Sequence, residues 1–159
     1  VLVMGVAAGC GGDGNAASGS SGSKYENFLF SANIPSGWKV FGEKELEKGR
    51  IWNMLRIQPE KDMSMTAPTV HLKFEGNKNW AGTPKGAIEQ MAKDYNGSPA
   101  EKVVHNGTEF FQTTYEYSGI KQTMMVSAKN GNKITVTLVG KDYGKNPAIK
   151  EILKTISFK

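Results

Sequence analysis

Three dipeptides punctuate the second half of the chain at nearly even intervals: Asn106-Gly107, Ser118-Gly119 and Asn130-Gly131. A two-residue hairpin turn that matches the twist of its flanking strands needs positive φ at both central positions. Glycine adopts that geometry freely and asparagine tolerates it. Alternating segments joined by such turns run back and forth as an antiparallel meander. Residues 101–105, 108–117, 120–129 and 133–139 are therefore predicted as four strands. Phe111, Thr113, Tyr115 and Tyr117 share one face, as do Ile120, Gln122, Met124 and Val126, and then Ile134, Val136 and Leu138. The neighbours Phe110-Phe111 and Met124-Met125 place apolar side chains on both faces, so cover is expected on both sides of the sheet.

Upstream, Phe28, Phe30, Ala32 and Ile34 alternate as a half-buried strand. Pro35-Ser36-Gly37 turns the chain into a second strand at 38–41, where Trp38 is expected in the core. Residues 43–49 are charged and read as a helical turn or a loop. In 51–58, Ile51, Leu55 and Ile57 are expected on one face, with Trp52 opposite and packed under a helix. Residues 59–68 form a loop carrying Met63 and Met65, and Val70, Leu72 and Phe74 make the next strand face. Two helices are predicted. Thr83 before Pro84 caps the first, with Ile88, Met91, Ala92 and Tyr95 as its stripe and Asn96-Gly97 as its stop. Asn146-Pro147 opens the second, with Ile149, Ile152, Leu153 and Ile156. The expected fold is α+β: an antiparallel sheet of about six to eight strands with helices packed on both faces, an α/β/α sandwich.

The chain's 159 residues divide unevenly. Residues 1–9 are apolar, uncharged and too short to cross a bilayer, which takes about 20 residues. They read as a signal-peptide remnant, and the chain is expected to continue upstream of Val1. Residues 10–24 hold the single cysteine and a Gly/Ser-rich linker, whose flexible coil spans roughly 20 Å. Residues 25–159 form the folded domain. Hydrophobic residues at 38% and a net charge of +5 suit a soluble globular domain with a solvated basic surface. The lysines are scattered, without the stripe or motif that nucleic-acid binding requires, so no nucleic-acid partner is expected.

Ala7-Ala8-Gly9-Cys10 resembles the lipobox of bacterial lipoproteins. The resemblance implies that the Cys10 thiol receives a diacylglycerol and that cleavage leaves Cys10 as the new N-terminus. The protein would then be held at the membrane, facing the extracytoplasmic side of the cell envelope. The domain, in turn, resembles the PsbP-like group, which includes the photosystem protein PsbP, the Ran-binding Mog proteins and envelope lipoproteins of the DcrB type. The carrying residues are Phe30-Ser31-Ala32-Asn33-Ile34-Pro35-Ser36-Gly37-Trp38, the hairpin run ending Ile134-Thr135-Val136-Thr137, and Ile152-Leu153-Lys154-Thr155-Ile156-Ser157-Phe158. That resemblance implies helices on both faces of a sheet and a binding or assembly role rather than catalysis.

No constellation carries chemistry. His71 and His105 are the only histidines and neither has a partner at metal-ligand spacing, so no metal is expected. No nucleophile elbow or phosphate loop is present, and no cofactor or catalytic residue is assigned. The partner-contact candidates are Trp80, in a polar loop before the first helix, and Trp52; the plainer reading of Trp80 is a side chain closing the core beneath that loop. The expected function is a monomeric envelope lipoprotein that binds or helps assemble a protein partner. A small-molecule or lipid-binding module is the alternative, and an enzyme comes third. Expressed with its native upstream sequence, the wild-type protein is expected to carry a diacylglycerol-sized mass and to sediment with membranes. A Cys10→Ala variant should do neither, as intact-mass measurement and fractionation will read.

Overall fold

A computed structural model of the chain describes residues 22–76 and 80–159. The expected signal remnant, Cys10 and nearly all of the linker lie outside those residues. The described elements run β1 (Ser23–Glu26), β2 (Phe30–Ile34), β3 (Trp38–Phe41), β4 (Trp52–Pro59), β5 (Thr69–Glu75), α1 (Pro84–Asp94), β6 (Glu101–His105), β7 (Thr108–Tyr117), β8 (Ile120–Lys129), β9 (Asn132–Val139), α2 (Pro147–Thr155) and β10 (Ser157–Phe158). Single 3-10 turns stand at Glu43–Glu45 and Tyr143–Lys145.

The three turn dipeptides behave as their chemistry demands. Asn106, Ser118 and Asn130 have φ of 46°, 51° and 53°, and the glycines after them 77°, 75° and 76°. They join β6, β7, β8 and β9 into the predicted meander, which β5, β4 and β3 extend to a seven-stranded antiparallel sheet in the order β3-β4-β5-β9-β8-β7-β6. A second sheet, β1-β2-β10, was not expected. Its flanking strands are too short to show a period: β1 is Ser23-Lys24-Tyr25-Glu26 and β10 only Ser157-Phe158. The first strand thus takes up Ser23 and Lys24 from the end of the expected linker.

The core lies between the two sheets and α2. Phe30, Ala32 and Ile34 of β2 and Ile149, Ile152 and Ile156 pack with Leu55, Ile57, Leu72 and Val136 of the large sheet. Asn146 caps α2, its Oδ1 accepting from the amides of Ala148 and Ile149 at 2.9 and 3.2 Å. The other end of α2 is held by the first hairpin: Asn106 Nδ2 donates to the carbonyls of Thr155 and Ile156 at 3.2 and 3.0 Å. Helix α1 lies along β7 and β8, capped by Thr83 Oγ1, which accepts from Gly86 N. Of its predicted stripe only Ile88 is fully buried. Met91 and Ala92 are half-buried, and Tyr95 leans on Tyr115 and Tyr117 with ring centroids 5.3 and 5.6 Å away.

Several local expectations are corrected. Phe28 is not part of the β2 alternation. Asn27 Oδ1 accepts from the amides of Leu29 and Phe30, an Asx turn that puts Phe28 and Leu29 at the tip of the β1–β2 hairpin. The expected Asn96-Gly97 stop does follow α1, with Asn96 as its left-handed residue at φ 49°. Trp38 sits half-buried at the margin of the core. Ile51 precedes the first paired residue of β4, so strand parity does not govern it, and it is 73% exposed. The buried face of β4 is instead Asn53, Leu55 and Ile57. Trp52 does not pack under a helix: it stands on the outward face, 49% exposed. The expected costs separate accordingly in urea titration. Ile57→Ala should lower stability by about 2–5 kcal/mol, and Ile51→Ala should stay within about 0.5 kcal/mol of wild type.

Candidate interaction face

Cross-strand partners in a sheet share a face, so the register traces rows of side chains across the large sheet. One row runs Thr113, Met124, Thr137, His71, Arg56 and Phe41 through β7, β8, β9, β5, β4 and β3. Burial falls along it. Thr113 is fully buried where α1 lies over β7, His71 is half-buried, and Arg56 is exposed. The parallel rows Lys73–Met54 and Lys133–Glu75–Trp52 behave alike at their β4 ends, where Met54 and Trp52 are each 49% exposed. The β3-β4-β5 half of this face is therefore open, with Ile51 beside it.

The open half combines aromatic rings with cations. The guanidinium of Arg56 lies 5.3 Å from the Phe41 ring centroid, with the Lys39 ammonium at 5.9 Å from the same ring. Arg50 covers Trp52 at 5.9 Å. Lys133, bridged to Glu75 at 3.6 Å, reaches Trp80 at 5.5 Å. Each such contact contributes about 0.5–1 kcal/mol at an exposed site, less than the roughly 2 kcal/mol of rotamer entropy in a Lys or Arg side chain, so it biases these side chains toward the rings without fixing them. The two tryptophans singled out from sequence thus meet one row: Trp52 starts it, and Lys133 links its far end to Trp80. Trp80 itself is half-buried, its indole folded over Gly82 so closely that a Cβ there would lie 2.6 Å from the ring nitrogen. A shallow depression of about 500 Å³ opens between Phe41, Met54, Arg56 and His71.

Sequence reasoning missed Met54, Arg56 and Phe41 as members of this surface. The available signal was parity: on β4 the outward positions are Trp52, Met54 and Arg56, a sequence less polar than a solvated face requires. The two histidines do not meet. His105 lies at the β6–β7 turn, 6.0 Å from Phe110. Among the described residues no three His, Cys, Asp or Glu side chains converge as metal ligands, and no helix is long and apolar enough to cross a membrane.

No family profile matches the chain, and no curated protein gives a significant match. Solved structures do match. The chain superposes on cyanobacterial PsbP (CyanoP) of Synechocystis with a TM-score of 0.55 at 12% identity, covering 96% of this chain and 98% of that one. The fold is PsbP-like. A crystal structure from Bacteroides thetaiotaomicron gives a TM-score of 0.53 at 17% identity, covering 87% of this chain. This chain spans about half of that longer one, 48%. At these identities the likeness concerns the PsbP-like fold alone.

The open face carries a pH dependence. Burial, and then the neighbouring Arg56 charge, hold the His71 imidazole below its ordinary pKa of 6.5. Burial lowers His105 as well. The unfolded chain then takes up these protons before the folded chain does. Stability is complete above about pH 6.5 and declines as pH falls below it. His71→Gln should make that decline shallower, as urea midpoints measured from pH 7.5 to 5 will show.

Proposed function

We propose that this chain is a lipoprotein tethered through Cys10 to a bacterial envelope membrane, facing the extracytoplasmic side. Its PsbP-like domain, with α1 and α2 layered on opposite faces of the sheet, serves a non-catalytic binding or assembly role toward a protein partner. The observation that carries this reading is the pair Trp52 and Met54, each 49% exposed on the outward face of β4, with the exposed Ile51 next to them in the chain. Large apolar side chains grouped on a surface and rimmed by charge mark contact sites. Tryptophan and arginine are the residue types that most often dominate such contacts. The cations over the rings (Arg50, Arg56, Lys39 and Lys133) favour a partner presenting carboxylates around an apolar centre. The Gly/Ser-rich segment after Cys10 supports the tether, because a flexible linker holds a domain clear of the bilayer while leaving this face free to turn.

Site-specific photo-crosslinking in the native host tests the reading. A photoreactive residue at position 52 is expected to give a discrete adduct in the membrane fraction, which disappears when Cys10→Ala is combined with it. The same residue at position 93, an exposed site on α1, should give none. The reading falls if position 52 yields no adduct, or if positions 52 and 93 yield the same one.

A further inference from the structure

On the other face of the large sheet, at the same end, the two sheets part and leave a cleft of about 660 Å³. Its floor is the row Phe74 and Ile134, continued by Asn53, the cross-strand counterpart of the outward row that begins at Trp52. Its roof is the tip of the β1–β2 hairpin, Phe28 and Leu29. Four cations line the cleft, Lys48, Arg50, Lys129 and Lys159, and among the described residues no Asp or Glu side chain does.

The charges at this rim are only half compensated. Lys159 pairs with Glu26 at 2.8 Å and Arg50 with Glu47 at 3.7 Å. Among the described residues, the Lys48 ammonium has the Phe28 ring, 5.7 Å away, and the Lys129 ammonium donates to the carbonyl of Phe158. The rim is positioned by a buried polar side chain. Asn53, 5% exposed, accepts from the Glu47 amide at 3.0 Å and donates to the Glu47 carbonyl at 3.1 Å. That two-point clamp fastens the loop carrying Lys48 and Arg50 to β4. It also uses the Asn53 amide on the loop, so Asn53 is a positioning residue rather than a ligand contact.

We infer that this cleft binds a single-chain amphiphile with an anionic head, a carboxylate or phosphate, seated one molecule at a time. The argument is complementarity: unpaired ammonium groups concentrated at one mouth attract an anion, and the apolar floor and roof behind them take an alkyl chain. The volume falls within the roughly 300–1,000 Å³ of small-molecule sites. The cleft opens on the face opposite Trp52 and shares Arg50 with the partner face; the rim variants below leave Arg50 in place, so their outcome is separate from the protein-partner reading.

Calorimetric titration of the full chain, residues 1–159 produced without lipid, tests it. Dodecyl phosphate, kept below its micelle concentration, is expected to bind with one-to-one stoichiometry. Inorganic phosphate and dodecyltrimethylammonium should bind at least about tenfold more weakly. A Lys48→Ala, Lys129→Ala double variant should lose about tenfold in affinity, and Lys93→Ala, which removes an exposed cation on α1 away from the cleft, should bind as wild type. Because Lys129 touches β10, Lys48→Glu, a reversal at an exposed position, provides a second reading, with the urea midpoint of each variant confirming the fold. The inference is overturned by any of four results: no saturable binding, equal binding of the cationic amphiphile or of inorganic phosphate, unchanged affinity in folded rim variants, or binding only to phosphatidylglycerol vesicles and not to the monomeric amphiphile.

Discussion

Phe30, Phe74, Phe158 and Phe110 form a continuous aromatic junction between the two sheets, and the rest of the architecture hangs from it. Phe30 stacks on Phe74 at 6.0 Å, Phe74 meets Phe158 at 6.0 Å, and Phe158 meets Phe110 edge-on at 5.9 Å. These rings come from β2, β5, β10 and β7, so the junction ties strands far apart in sequence. A three-stranded sheet with one strand of two residues has little stability of its own in water. What holds β1-β2-β10 in place is burial of these rings, each worth about 1.5–3 kcal/mol in transfer free energy, with further stabilisation from edge-to-face geometry. Helix α2 depends on the same junction, since β10 follows it directly and β2 lies beneath it.

The junction also explains why the candidate surfaces sit where they do. It fills the centre of the inner face and leaves the sheets to diverge at the end where the β1–β2 tip, the 43–50 loop and Lys159 meet, and the cleft is that divergence. Helix α1 packs along β7 and β8, and among the described residues no helix makes comparable contact with β3 or β4. Arginine and lysine stems over Phe41 and Trp52 partly shield what an absent layer would have buried.

The meander was legible because its determinants are local. A turn dipeptide, a strand of ten residues and another turn dipeptide leave one register, and Asn106, Ser118 and Asn130 confirm it in their φ angles. The helix caps at Thr83 and Asn146 were legible for the same reason. What escaped was set by contacts distant in sequence. The strand β10 exists because Phe158 pairs with Phe30, and no period can be read in two residues. The outward position of Trp52 depends on where β4 begins. Reading the strand from Ile51 assigned that residue to the core and gave Trp52 a helix for cover. The cleft was invisible because its rim brings together Lys48, Lys129 and Lys159, scattered lysines in the sequence that only the fold gathers.

Strand β4 shows how one segment can serve both surfaces, with Arg50 as the side chain they share. Trp52 and Met54 point outward, while Asn53 between them points inward and holds the loop at the cleft mouth. A buried asparagine on an apolar strand face is a cost unless its hydrogen bonds are met, and here both ends of the amide are met by Glu47. An aliphatic side chain at position 53 would pack with Leu55 and release the loop, so packing alone gives no reason for asparagine there. Its presence makes sense if the position of Lys48 and Arg50 matters. Pleating keeps this requirement separate from the outward one, because adjacent side chains on a strand face opposite sides of the sheet. The outward surface and the cleft therefore draw on different β4 side chains, although those residues are consecutive in the chain, and Arg50 reaches both.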